Sequence, residues 1–252
     1  MPLIAKSSIR YENWKLDPSG LYLTSPSLGF FESRFQVFIS TKVAGNMQEE
    51  QNRVNFLRRL DLDASKLAVS NQVHGTQIHC VTSLADCPSI RVSGIDGWLA
   101  SGVEGVNLGV FSADCMGIFI LHRERPLGMV LHAGWKGCAR GIIEEAFRLV
   151  CENFCKDFKV TTKDFLAVVG PHIGSCCYEV KGDVAGSFSA NDLTVRDGKT
   201  YLDLGGAAAH HLENLGVQDI VVSRDCTRCR EDLFISYRRG DKGSMLNLLH
   251  FP

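Results

Sequence analysis

Apolar runs that stop on chemistry-bearing side chains constrain this chain most. Residues 107–111 are apolar, break at Ser112-Ala113-Asp114-Cys115, and resume at 117–121; residues 127–131 are apolar and end in His132-Ala133-Gly134-Trp135-Lys136-Gly137. Short runs of this kind, bounded by turn signals, predict fully buried strands. A thiol and an imidazole at the ends of adjacent strands, followed by a glycine-punctuated helix start, put reactive groups on a rigid frame.

The rest of the chain can supply the core that such strands need. With 45% hydrophobic residues in 252, it can bury a full core. No linker or internal repeat interrupts it, so residues 1–252 are expected to form a single compact domain. The net charge of −1 provides no global field for nucleic acid or an anionic membrane. No run of about 18 apolar residues occurs, and the first residues lack the apolar core of a secretory signal, so a cytoplasmic protein is expected. Ten cysteines sit mostly within apolar runs of a chain too large to need staples, which favours reduced thiols.

Residues 1–34 carry turn markers between apolar patches and are expected to form strands and loops. A strand is expected over 34–41, then a helix over 48–60 with Asn46 as its N-cap and an apolar side of Val54, Leu57 and Leu60. Residues 66–79 predict two strands around an Asn71-Gln72-Val73-His74-Gly75 turn. A further strand over 95–100 opens on Asp96-Gly97. The apolar spacing of Ile142, Ala146, Leu149, Val150 and Phe154 predicts one helix over 137–154. Strands over 165–169, 220–223, 233–237 and 245–249 and a helix over 203–215, closed by Gly216, complete the expectation.

His74, Cys115 and His132 supply two imidazoles and one thiolate, a donor set that suits zinc with an open fourth position. Their spacing forms no local motif, so a buried cysteine and two satisfied histidines remain the alternative. Gly134-Trp135-Lys136-Gly137 at a helix start offers backbone N–H groups and a lysine to an anion. Lys42 and Arg53 add positive charge if the first helix packs at the same mouth; solvated surface charge is the other reading. Cys226-Thr227-Arg228-Cys229 has the form of a redox pair or half a metal site, with no second such motif to complete it. Cys176 and Cys177 are adjacent and point apart if extended. Arg238-Arg239 is open between an anion site and a solvated strand end.

Five segments, taken in order, resemble the motifs of the YfiH/laccase-domain family. They are Asn71-Gln72-Val73-His74-Gly75, Ser112-Ala113-Asp114-Cys115, His132 to Gly137, Gly170-Pro171-His172-Ile173-Gly174 with Cys177-Tyr178-Glu179-Val180, and Phe234-Ile235-Ser236-Tyr237-Arg238-Arg239. That family was first labelled polyphenol oxidase or multicopper laccase and is now understood as purine nucleoside phosphorylases. The resemblance implies an α/β (α+β) domain of mixed β-sheets flanked by helices. It implies cleavage of adenosine, inosine, guanosine or methylthioadenosine with phosphate as co-substrate, and adenosine deamination. By the same resemblance His74, Cys115 and His132 fall on metal and catalytic positions, and Arg53 near the substrate phosphate. Ser40, Lys42, Gly134 and Lys136 complete the expected substrate-binding set. The chain departs from the family pattern in Lys42, Lys136 and Gly243-Ser244, where arginines are usual, and a lysine gives a point contact where arginine gives a fork.

The resulting expectation is a zinc enzyme acting on purine nucleosides and phosphate, as a monomer or homodimer, with neither nucleic acid nor membrane as partner. Three readings compete with it: a copper-dependent polyphenol oxidase, a cysteine hydrolase using Cys115 with His132 or His74 as base, and a non-catalytic metal-binding module. Copper could enter a soft His-Cys-His set on loading. Only eight histidines exist in the chain, few for a multicopper cluster.

Overall fold

The computed structural model describes residues 8–31, 33–86, 91–154 and 160–252. The first seven residues of the expected strand-and-loop segment lie outside it. Two mixed sheets form the frame. The larger has seven strands in the order Ser8–Glu12, Asp219–Ser223, Phe165–Val169, Met116–His122, Leu127–Ala133, Gly97–Ser101 and Ile78–Val81. The smaller has six, in the order Lys15–Leu16, Tyr22–Thr24, Gln36–Ser40, Met245–His250, Asn107–Ser112 and Leu67–Ala68.

The period-two alternation of strand side chains decides the layering. Ile118 and Ile120 face the helices Ile142–Phe154 and Leu204–Asn214, while Phe119 and Leu121 face the second sheet. On that sheet Leu108, Val110 and Leu249 point inward; Phe111, Leu246 and Leu248 point outward onto Phe56 and Leu57 of the helix Glu50–Arg59. Helix, sheet, sheet and helix thus stack as four layers. Central strands buried on both faces read as continuous apolar runs for this reason.

The run 107–121 therefore spans two strands of different sheets. Asn107–Ser112 pairs antiparallel with Met245–His250 in the six-stranded sheet, and Met116–His122 pairs with Leu127–Ala133 in the seven-stranded one. The chain changes sheets at Ala113-Asp114-Cys115. Gly117 lies just past the crossing, where a Cβ would stand 2.4 Å from Asn247 Oδ1, so the two sheets could not approach as they do with a larger residue there.

Three element expectations are corrected. Residues 137–154 form two helices, Trp135–Ala139 and Ile142–Phe154, broken at Gly141 with φ 83°. Residues 233–237 form no strand: the Arg239 guanidinium donates to the Phe234 carbonyl at 2.5 Å and to those of Thr227 and Arg228 at 3.0 and 2.9 Å, which holds residues 233–236 as a buried loop with Tyr237 exposed beyond it. Asn46 does not cap the first helix, whose N-cap is Glu49; its Oδ1 instead accepts from Gln48 N and Ser244 N, both at 3.0 Å. The apolar face of that helix is led by Phe56 and Leu57.

Among the described residues no helix is long and apolar enough to cross a membrane. The two helices on the seven-stranded sheet are joined by His211 Nδ1 and Glu144 Oε1 at 2.5 Å. The hydrogen bond to Glu144 raises the His211 pKa, and the same bond lowers that of Glu144. The histidine's stabilisation is complete below its unfolded value of about 6.5 and is lost as pH rises through its raised folded value. The carboxylate's is present above about 4.3 and is lost as pH falls through its depressed folded value. His211→Gln should therefore lower the melting temperature most at about pH 6 and least at about pH 9; equal losses at both would remove the ion pair as the cause.

Candidate metal centre

The crossing between sheets aims Cys115 at a cleft. Asp114 adopts φ 87°, and its carboxylate accepts from Thr227 Oγ1 at 2.6 Å and Arg238 N at 2.7 Å. Its carbonyl accepts from Ile173 N at 3.0 Å. These bonds hold a left-handed residue that its own side chain would otherwise disfavour. On the neighbouring strand His132 lies opposite Gly117, so the imidazole stands beside the thiol.

His74 arrives from a distant turn and also adopts a left-handed conformation, with φ 59°. Its position is set by Asp96, which is 0% exposed. Asp96 accepts from the backbone N–H groups of Val73, His74 and Gly75 at 3.1, 2.9 and 2.8 Å, and its Oδ1 lies 2.9 Å from His132 Nδ1. One buried carboxylate thus fixes the His74 turn and the ring of His132, leaving the opposite His132 nitrogen for the site. A carboxylate behind a histidine ligand is the usual outer support of a metal site. Asp96 was visible in sequence only as the start of a strand. Three consecutive N–H groups converging on one side chain are a tertiary arrangement with no local signal.

His74 Nε2 and Cys115 Sγ are 3.8 Å apart, and the ligand atoms of His74, Cys115 and His132 all lie within 4.8 Å of one another. A tetrahedral zinc with its ordinary bond lengths needs ligand separations of roughly 3.3–3.6 Å. The three side chains therefore fit a metal with small rotations. Gly134 makes the room: a Cβ there would stand 2.8 Å from Cys115 Sγ and 3.0 Å from His74 Cδ2.

Burial opposes ionisation of Cys115, but the His132 imidazolium and the hydrogen bonds of both histidines outweigh it and bring the thiol down to about 6. Burial likewise opposes a charged His132, and the Cys115 thiolate and Asp96 carboxylate raise it to about 9. Burial also works against the Asp96 carboxylate, yet the His132 and backbone hydrogen bonds hold it below the usual range. Both shifts favour a thiolate–imidazolium pair. A divalent cation would take the place of the imidazolium proton.

These groups line a cleft of about 770 Å³, within the size range of small-molecule sites. Phe111, Trp135, Tyr178 and Tyr237 give it aromatic walls, and Arg91, Lys136 and Arg238 give it positive charge. Lys136 therefore stands where expected. The helix start at Gly134 offers less than expected, because Trp135–Ala139 has only five residues and its dipole is correspondingly small.

Three expected substrate-binding residues do not line the cleft. Ser40 is buried with its Oγ accepting from Leu246 N at 2.8 Å. Lys42 Nζ donates to the Glu231 carbonyl. Arg53 stands behind the wall, its guanidinium 5.7 Å from the Phe111 ring and donating to the carbonyls of Met47 and Gln48 at 2.8 and 2.9 Å. Arg91 covers the same ring at 4.6 Å and does line the cleft. It donates to Gln48 Oε1, and Gln48 Nε2 donates to Ser244 Oγ at 3.1 Å. A guanidinium thus reaches the rim beside Ser244 from another part of the chain. Sequence reading missed Arg91 because nothing near it in the chain marks it.

A family model described as multi-copper polyphenol oxidoreductase laccase matches residues 39–251. The chain is 33% identical over 209 residues to the purine nucleoside phosphorylase of Deinococcus radiodurans, covering 80% of this chain and 77% of that one. It is 29% identical over 202 residues to adenosine deaminase RL5 of an unknown prokaryotic organism, covering 74% and 75%. The crystal structure of YlmD from Geobacillus stearothermophilus superposes with a TM-score of 0.83 at 26% identity, covering 95% of this chain and 99% of that chain. A family model matched over residues 39–251 and a fold that superposes along 95% of the chain place it in the laccase-like YfiH family.

Proposed function

We propose that the chain is a purine nucleoside phosphorylase that also deaminates adenosine, with zinc held by His74, Cys115 and His132. The observation that carries this reading is the meeting, in one cleft, of a soft three-ligand set with three cationic side chains and four aromatic ones. The names of the relatives in Deinococcus radiodurans and of adenosine deaminase RL5 agree with both activities.

In phosphorolysis a phosphate oxygen bonds to C1′ as the C1′–N9 bond breaks, and the electron pair leaves with the purine, which takes up a proton. Arg91, Lys136 and Arg238 supply fixed positive charge to hold the phosphate, and the aromatic walls offer faces on which the base can stack. Bound at the three ligands, zinc would supply a water acidic enough to act as a nucleophile near neutral pH, as replacement of the C6 amino group requires. Asp96 keeps His132 oriented by holding its Nδ1. Arg53 supports the Phe111 wall in this reading, and Ser40 and Lys42 act through the structure rather than by contact with substrate.

The test is a panel of nucleosides with and without phosphate, run on the native chain and on Arg91→Ala. Losing one charge-assisted contact costs roughly 1.5–3 kcal/mol, so Arg91→Ala should raise the KM for phosphate about ten- to a hundredfold. Deamination needs no phosphate and should fall less. Equal losses in both reactions would assign Arg91 to the nucleoside or the fold. The family description names copper, and the same three ligands would accept a copper ion. Phenol oxidation by protein isolated without added copper would overturn the phosphorylase reading.

A further inference from the structure

A second set of thiols comes together on the far side of Asp114. Cys226 and Cys229 belong to the loop after Asp219–Ser223, and Cys176 and Cys177 to the loop after Phe165–Val169. These two strands are parallel neighbours, so both loops leave the same end of the sheet. Adjacent cysteines point apart only in an extended chain; here Cys177 N and Tyr178 N both donate to the Gly174 carbonyl, at 2.9 and 3.0 Å, and the turn swings both thiols to one side.

Cys229 Sγ lies 3.6 Å from Cys176 Sγ and 3.4 Å from Cys177 Sγ, and all four sulfurs are within 4.8 Å of one another. The edges of a tetrahedral four-thiolate zinc site are about 3.8 Å, from a Zn–S bond of about 2.3 Å. All four cysteines are free. Backbone N–H groups also aim at one of the sulfurs: Gly174 N is 3.3 Å from Cys226 Sγ, and those of Arg228 and Cys229 bond it as well. Amide N–H groups directed at sulfur are the usual outer support of a thiolate ligand, and the Arg228 side chain hydrogen-bonds Cys177.

We propose that Cys176, Cys177, Cys226 and Cys229 form a second, structural metal centre, a four-thiolate zinc site that ties these two loops together behind the cleft. The same loops hold Asp114 through Thr227 Oγ1 at 2.6 Å and Ile173 N at 3.0 Å, and Asp114 precedes Cys115. An ion there would keep the crossing in its left-handed conformation and Cys115 facing His132. With four ligands from the protein it has no open position for substrate.

Cys115→Ala isolates this site, since that change removes a ligand of the other. Protein purified under reducing conditions from zinc-supplemented cells should hold about two zinc ions per chain, and Cys115→Ala about one. X-ray absorption of the zinc left in Cys115→Ala should show sulfur neighbours alone at about 2.3 Å. Cys229→Ser, a change at an exposed position, should remove that remaining ion from Cys115→Ala, and chelator should lower the melting temperature of Cys115→Ala but not of the double variant. A zinc-free Cys115→Ala protein, nitrogen or oxygen in its zinc shell, or a disulfide mapped between the two loops would each overturn the proposal. None of these readouts depends on catalysis, so they stand apart from the outcome of the nucleoside panel.

Discussion

Cys115→Ala should strip the ion from the His74–Cys115–His132 set and abolish deamination while leaving the fold intact. The thiolate is the softest of three protein ligands. If structural zinc sites bind with about 10–16 kcal/mol shared among their ligands, losing one costs roughly 3–5 kcal/mol, about a hundred- to several-thousandfold in affinity. Cys115 faces the cleft, so its truncation opens no sealed core cavity, and the metal-free protein should still fold although His132 loses its thiolate partner. Zinc content after dialysis, circular dichroism and adenosine turnover measure the three parts. A variant that keeps the ion at His74 and His132 yet loses all activity would support the rival in which Cys115 is a nucleophile.

Asp96→Ala should be the most destabilising single change near the cleft. It would leave three backbone N–H groups and a buried imidazole without their shared acceptor. Each buried polar group without a partner costs about 1–3 kcal/mol, and breaking a buried charge pair about 3–5 kcal/mol. These do not add fully, and a loss of at least about 3 kcal/mol is expected, a fall of about 6–12 °C in melting temperature for a chain this long. Asp96→Asn preserves the shape but turns an NH₂ group toward donors, and should weaken metal binding about ten- to a hundredfold in a chelator competition. Wild-type stability and affinity in both variants would show that the His74 turn and the His132 ring are positioned by something else.

The strand ends were legible because their signals are local. Asn71 to Gly75 needs a turn, and the turn places His74 at positive φ; the apolar runs before Cys115 and His132 stop within two residues of the ends of the buried strands Asn107–Ser112 and Leu127–Ala133. The helix expected over 203–215 stands at Leu204–Asn214, with Asp203 as its cap and Gly216 beyond its end. The helix expected over 137–154 failed for a reason of the same scale: its apolar spacing survives past Gly141, but the backbone does not.

What the sequence by itself determined was the set of chemically equipped strand ends and turns, since alternation, capping and turn chemistry act over a few residues. Which ends meet was decided by tertiary structure. A strand buried on both faces carries no mark of the sheet it joins, so nothing local said that the chain changes sheets at Ala113-Asp114-Cys115, or that Asp96 would gather the His74 turn and His132. For the same reason Arg91, not Arg53, lines the cleft, and Cys176 and Cys177 meet Cys226 and Cys229 only because two parallel strands release their loops side by side. Such pairings come from the packing of whole layers, where burial rewards any apolar face alike and the partner is chosen by the fit of all the strands at once.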